Sequence, residues 1–161
     1  MKHTIRIRKG RTGDLPRVLQ LVKELAAYER APGEVTNTLQ DMKRDFSREN
    51  PAFDFLVAEE KGIITGAAVF YHAYSTWKGR YIYLDDIIVT EAKRRSGTGT
   101  LLFERLLKIA ASSGARQLRW HVLEWNTPAI SFYKKYKVSF DGEWITCKLE
   151  HDRIKKFRHR V

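Results

Sequence analysis

The chain has 161 residues, 43% hydrophobic and 30% charged, with a net charge of +11, which suits one folded globular domain rather than a disordered or fibrous chain. No apolar run approaches the ~18 residues that span a bilayer, and the opening MKHTIRIRKG lacks the apolar core of a signal peptide, so a cytoplasmic protein with no membrane partner is expected. A single cysteine, Cys147, excludes an internal disulfide and a cysteine-rich metal site, and the five histidines, His3 to His159, form no HExxH pattern, so no metal is expected.

The first predicted strand is the alternating run Thr4 to Arg8. A helix follows in GDLPRVLQLVKELAAYER, with Asp14 placed to cap it and Pro16 in its first turn, where a missing N–H does no harm. Leu15, Val18, Leu19, Val22, Leu25 and Ala26 give that helix one apolar stripe. The loop APGEVTN leads to a shorter helix with Thr38 and Asp41 near its start, ending around Phe46. FDFLVAEE reads as strand two, Lys61-Gly62 as a tight turn, and IITGAAVFYHAY as strand three. After a turn at 75–79, YIYLDDIIV is strand four. A glycine turn launches a third helix to about Ser113, and QLRWHVLEW is strand five. Asn126 caps a fourth helix with Pro128 in its first turn, and Ser139 to Leu149 reads as a final hairpin. With no repeat or linker, residues 1–161 read as one domain ending in a basic tail at 151–161. The order β-α-α-β-β-β-α-β-α-β predicts an α/β fold with a mixed sheet, strands four and five being parallel across a helical crossover.

The glycine turn carries the first functional signal. It is neither a P-loop, since no Gly-Lys-Ser/Thr triplet occurs, nor a dinucleotide fingerprint, since Leu102 stands where a third glycine is required. What remains is Arg94-x-x-Gly97-x-Gly99 between a strand and an amphipathic helix. The first N–H groups of a helix have no partner inside it, and the helix dipole adds positive potential there. Glycines let an oxygen approach that backbone. The turn is therefore expected to bind an anion, with Arg94 and Arg95 adding charge.

Taken with LVKELAAYER, the block W-x-G-R-x-x-Y-L-D-D-I-x-V, and V-L-E-W-N-x-P-A-I-x-F-Y, the turn RRSGTG makes the chain resemble the GNAT superfamily of N-acetyltransferases over nearly its whole length. The resemblance is closest to the diamine acetyltransferase subgroup, the spermidine/spermine and thialysine enzymes. It implies a GNAT fold, a central mixed sheet of six to seven strands flanked by four helices, with strands four and five splayed apart. It implies acetyl-CoA as cosubstrate, its pyrophosphate on Arg94, Arg95, Ser96, Gly97, Thr98, Gly99 and Thr100, its pantetheine arm on backbone groups of Ile87 and Val89, and Asn126 and Tyr133 nearby. It implies an N-acetyltransferase that acetylates the primary amine of a small molecule (a diamine, polyamine or lysine-like amino acid) by direct attack in a ternary complex, and a homodimer.

Transfer to an amine poses two proton problems. An amine of pKa ~10 is about one part in a thousand neutral at pH 7, and the leaving thiolate benefits from a donor. The resemblance makes Tyr133 that donor; read locally, it is an aromatic core residue beside Phe132 and Tyr136. Asp85 and Asp86, on alternate faces of a regular strand, break each apolar face, so at least one is expected in a wet cleft. A pairing of either with Arg80 or Arg94 is the plain alternative. The resemblance makes Asp85 the proton acceptor and puts Asp86 near the amine. It places Glu29 and Trp77 in the substrate site, where a helix-end charge and ordinary packing are the bland readings, just as Asn126 is also simply a cap.

Three departures matter. Ser75-Thr76-Trp77 replaces the subgroup's Asp-Pro-Trp, removing an acid for a distal ammonium, and the +11 charge opposes capture of a polycation. Arg95 and Lys137 stand where the family has glycine. A protein lysine or N-terminal acetyltransferase is the alternative enzyme; a nucleic-acid-binding or acyl-CoA-sensing domain is the alternative outside catalysis. Nucleic acid is disfavoured, because nothing resembles a recognition helix or a stacking platform. Cys147 has no recognisable base and is not expected to be a nucleophile.

Overall fold

The structure is a computed structural model that describes residues 4–158, arranged in two compact units, Met1–Leu123 and Glu124–Val161. His3, His159 and the last three residues of the basic tail lie outside the described residues.

The first unit holds β1 (Arg6–Lys9), α1 (Leu15–Tyr28), α2 (Leu39–Phe46), β2 (Asp54–Glu60), β3 (Ile63–Ser75), β4 (Gly79–Val89), α3 (Thr98–Ser112) and β5 (Leu118–Arg119). The sheet order is β1-β2-β3-β4-β5, antiparallel throughout except for the parallel β4–β5 pair. The β2–β3 turn is tight because Lys61 and Gly62 both have positive φ, 52° and 77°, the twist a two-residue hairpin needs.

Each face of the sheet is covered by helix. Leu15, Val18 and Leu21 of α1 and Met42 of α2 close over Phe55, Val57, Ala67, Val69 and Ile88. On the other face α3, with Leu102, Phe103 and Leu106 buried, packs on β2, β3 and β4. The α1 stripe thus includes Leu21, while Leu19, Val22 and Leu25 flank it, partly buried. Thr38 caps α2 by accepting from the Asp41 N–H at 3.1 Å. Asp14 stands at the N-cap of α1 but makes no side-chain cap bond. Its carboxylate is drawn back to Arg8, at 2.7 and 3.0 Å, and to the Arg11 N–H at 2.8 Å.

Two expectations about strands are corrected. Among the described residues the sheet has five strands, not six or seven. β5 is two residues long, pairing with β4 only at Ile82–Leu118 and Tyr83–Arg119. Residues 139–149 form no hairpin. Trp144 is 72% and Ile145 88% exposed, so the segment buries little apolar surface, and an isolated hairpin gains too little to persist.

The second unit contains α4 (Thr127–Lys134) and the short α5 (His151–Ile154), which forms the start of the basic tail. Asn126 caps α4, accepting from the Ala129 N–H at 3.3 Å, with Pro128 in the first turn. Past α4, Lys137 takes the left-handed conformation (φ 56°) that glycine adopts without strain; the substitution leaves the geometry in place and adds its cost.

Candidate active site

The site is organised by β4 and the turn after it. β4 ends at Val89, and the following N–H, of Thr90, is held by the Thr65 carbonyl at 2.9 Å. The chain then turns through two left-handed residues, Arg95 (φ 62°) and Gly97 (φ 87°), the second being the N-cap of α3. Ser96 fixes the turn, its hydroxyl donating to the Lys93 carbonyl at 2.6 Å and lying 2.7 Å from the buried Thr98 hydroxyl. A Cβ at Gly97 would meet nothing within 4 Å, and one at Gly99 only a Val89 methyl at 3.9 Å. Packing within the protein therefore does not demand these glycines. They leave open space before the first-turn N–H groups of Thr98, Gly99 and Thr100, which suits a phosphate oxygen.

The Arg94 side chain is tethered at the base of this turn. Its Nε donates to the Val89 carbonyl at 3.2 Å, and its guanidinium lies 4.7 Å from the centre of the Tyr28 ring. It ties the turn to the end of β4 and to α1. Arg95 remains exposed on the turn.

Upstream on the same strand is a cavity of about 330 Å³. Leu19, Val22, Val35, Met42, Phe53 and Val69 supply apolar wall, with Glu34, Thr36 and Asn37 from the loop between α1 and α2, and Tyr71, Asp85 and Asp86 from the sheet. Both aspartates reach it because β4 bulges. Leu84 pairs with Phe70 and Asp86 with Val69, leaving Asp85 as the extra residue. The expected alternation, one acid on each face, is broken at that residue. Asp86 follows Val69 onto the α1–α2 face, and Asp85 lines the same space.

The electrostatics follow from this crowding. Burial pushes Asp86 up to about 7, helped by the charges of Asp85 and Glu29. Asp85 is exposed at its edge but is also raised by burial, as is Glu29. Among the described residues no Lys, Arg or His nitrogen lies within salt-bridge distance of Asp85 or Asp86. The plain pairing with Arg80 or Arg94 is absent, and Arg94 is engaged elsewhere.

The structure therefore brings Asp85, Asp86 and the charge of Glu29 together, and gathers residues 94–100 at the start of α3. Ile87 and Val89 lie between, half-buried, on a stretch of β4 whose outer edge pairs with no strand beyond Tyr83 among the described residues. Trp77 is not in the cavity lining; it stands 80% exposed at the β3–β4 turn. Ser75 shapes that turn by accepting from the N–H groups of Trp77 and Lys78 at 3.3 and 3.2 Å. Asn126 and Tyr133 belong to α4 of the second unit, where Tyr133 is 5% exposed and meets the Phe132 ring edge to face at 5.2 Å. Cys147 is exposed.

Sequence reasoning missed Glu34, Tyr71, Tyr83 and His121. Tyr71 and Tyr83 stack at 5.1 Å, and the Tyr83 hydroxyl hydrogen-bonds the His121 Nδ1. Burial, then the charges of Tyr71 and Asp85, push Tyr83 up to about 12, so it stays a proton donor at neutral pH. The usable signal was Tyr83 lying two residues before the acids on one strand.

Comparison with known proteins points one way. The model of the acetyltransferase (GNAT) family matches residues 18–137. The chain is 30% identical to a Mus musculus protein named thialysine N-epsilon-acetyltransferase, over 96% of this chain and 98% of that one. It is 36% identical to the Homo sapiens spermidine/spermine N(1)-acetyltransferase-like protein 1, over 79% of this chain and 19% of that protein. Its fold is similar to that of an integron cassette protein from V. cholerae, with a TM-score of 0.75, 22% identity and coverage of 96% and 98% of the two chains.

Proposed function

This chain belongs to the acetyltransferase (GNAT) family and is an N-acetyltransferase, and from that premise we propose that it acetylates a small primary amine bound in the cavity beneath α1 and α2. The observation that carries the reading is that one strand, β4, joins an open anion turn to a pocket of carboxylates. The relatives' names speak of thialysine and of spermidine and spermine, so an amino acid and a polyamine both belong to the class of acceptor considered.

In this proposal the backbone of residues 97–100, with Arg95 and Ser96, holds the pyrophosphate of acetyl-CoA. Arg94 holds the turn in place from behind, the outer backbone of Ile87 and Val89 takes the arm, and the resemblance adds Asn126 to the coenzyme contacts. Bound acetyl-CoA supplies an acyl thioester, an electrophilic carbonyl with a good leaving group.

The chain's residues then handle two protons. The substrate arrives as an ammonium, drawn by Asp85, Glu29 and Asp86. Asp86, with a pKa near the operating pH, is suited to take the first proton. This exchanges the roles the resemblance implies for the two aspartates, and the pair titrates as a unit. The freed nitrogen forms the C–N bond as the C–S bond breaks. The resemblance carries the role of donor to Tyr133, which gives its proton to the departing sulfur and regains one from the new amide nitrogen. Per turnover one proton leaves on the thiol and one through Asp86 to solvent, in one ternary complex with no covalent enzyme intermediate. The homodimer and the cytoplasmic setting are part of the same proposal, supported by the resemblance and by composition.

The test follows free thiol with acetyl-CoA and a panel of amines including thialysine, lysine, putrescine and spermidine. Turnover with at least one amine is expected. No turnover with any, together with no acetyl-CoA binding by calorimetry, sinks the reading.

A further inference from the structure

Beside the cavity lies a hydrogen-bonded pair with no part in the chemistry so far. Tyr71 lines the cavity and stacks on Tyr83 of the neighbouring strand, ring centres 5.1 Å apart. The Tyr83 hydroxyl meets the His121 Nδ1, and His121 is exposed just past β5. A half-buried phenol thus joins the cavity wall to an exposed imidazole. The pair has a direction. Burial, then the charges of Tyr71 and Asp85, keep Tyr83 protonated. Towards a neutral imidazole the phenol is therefore the donor and Nδ1 the acceptor. Imidazole is the side chain that takes up and releases a proton near neutrality. The titratable groups that act on the phenol are Tyr71 from β3 and Tyr81, Asp85 and Asp86 from β4. From β5 comes Arg119, its guanidinium 4.5 Å from the centre of the Tyr81 ring.

On the function proposed above, the aspartates hold the amine's proton once the C–N bond has formed, and must lose it before the next turnover. Amide and coenzyme then stand between Asp86 and bulk water. Asp85 and Tyr83 are two residues apart on one strand, a span of roughly 7 Å that a short chain of water crosses. Resting on that function, we propose that Tyr83 and His121 are the outlet by which this proton passes from the aspartates to solvent. As a proton reaches the Tyr83 oxygen, the O–H bond facing His121 breaks and an N–H bond forms at Nδ1. Tyr83 remains a neutral phenol and His121 becomes an imidazolium. The exposed ring releases the Nδ1 proton to water, and the phenol turns back to it. One proton enters the pair and one leaves. Both residues act through the aspartates rather than on the reacting atoms, so they are positioning residues.

The test uses the full chain with acetyl-CoA and whichever of thialysine, lysine, putrescine and spermidine turns over fastest. Thiol release is followed in wild type, His121→Ala, His121→Gln and Tyr83→Phe. His121 is exposed and phenylalanine keeps the stacked ring, so the variants keep the fold. The outlet empties the aspartates after bond formation. In all three variants kcat should therefore fall about tenfold, while kcat/KM for the amine stays nearly unchanged. Added imidazole should restore kcat in His121→Ala in proportion to its concentration. It should not restore Tyr83→Phe, which lacks the hydroxyl link. Wild-type kcat in His121→Ala overturns the inference. So does full activity in His121→Gln, which would make the hydrogen bond to Tyr83 sufficient without a proton carrier. Equal losses of kcat and kcat/KM, or a His121→Ala that imidazole leaves slow, also overturn it, with the acetyltransferase reading intact. Silence of wild type with every amine removes that reading, and this inference with it.

Discussion

The two ends of the β4 stretch use opposite charge, and build it from different material. The turn after Val89 is positive through fixed dipoles: backbone N–H groups at a helix start, held by Ser96 and Arg94. The cavity beside the bulge is negative through titratable groups, one of them, Asp86, poised near 7. Dipoles do not titrate, and carboxylates do. Coenzyme affinity should therefore be nearly flat across neutral pH, while the amine half of the reaction should follow proton concentration.

The largest test of that contrast is Asp86→Asn. It should lower kcat/KM for the amine about 100- to 1,000-fold and remove the inflection near pH 7, with acetyl-CoA affinity by calorimetry unchanged. In wild type the rate should fall as pH drops below about 7, because the base becomes protonated. Next, Gly97→Val forces a β-branched residue into a φ of 87° and crowds the anion space. It should weaken acetyl-CoA binding about tenfold or more and leave the pH profile in place. Arg94→Gln removes the bond to Val89 and the contact with Tyr28 and, on the proposed reading, leaves the phosphate-binding backbone intact. A rise of only a few-fold in KM for acetyl-CoA is expected; a loss as large as that for Gly97→Val would make Arg94 a direct ligand.

The same aspartate bears on stability. Its pKa is raised in the folded state, so the folded protein binds the proton more tightly than the unfolded chain, whose carboxyl titrates near 3.8. Stability from this group is fully present below that value and is lost as pH rises toward about 7. Asp86→Asn should thus melt higher than wild type at pH 8, with the advantage gone by pH 4. The smallest effect concerns stability alone: Lys137→Gly relieves a left-handed residue and should add up to about 1 kcal/mol by denaturant unfolding.

What could be seen in the sequence divides along similar lines. The anion turn is local. Gly97, Gly99 and the start of α3 lie within a few residues, and their physics needs no partner. The cavity is not local. Glu34 and Asn37 reach it from a loop with no motif, and both aspartates reach it only because β4 slips against Val69 and Phe70 of the neighbouring strand. A strand reads as alternating until its neighbour is known. The same limit misled the reading of β5 and of residues 139–149. Apolar alternation marks a segment able to form a strand, but pairing decides whether it does. Asp14 failed as a cap for a related reason, since Arg8 offered its carboxylate a stronger partner than a helix N–H.

The bulge has a further consequence, best put as a count. Eleven residues of β4 run against ten of β3. The sheet could be closed with one residue fewer: with Asp85 deleted, Leu84 would still face Phe70 and Asp86 would still face Val69. The strand carries a surplus residue that architecture does not require, and that residue is an acid facing the cavity. Substitution removes its charge, whereas deletion would tidy the ladder. A shortened chain that folds more firmly and acetylates poorly would show the surplus is kept for chemistry.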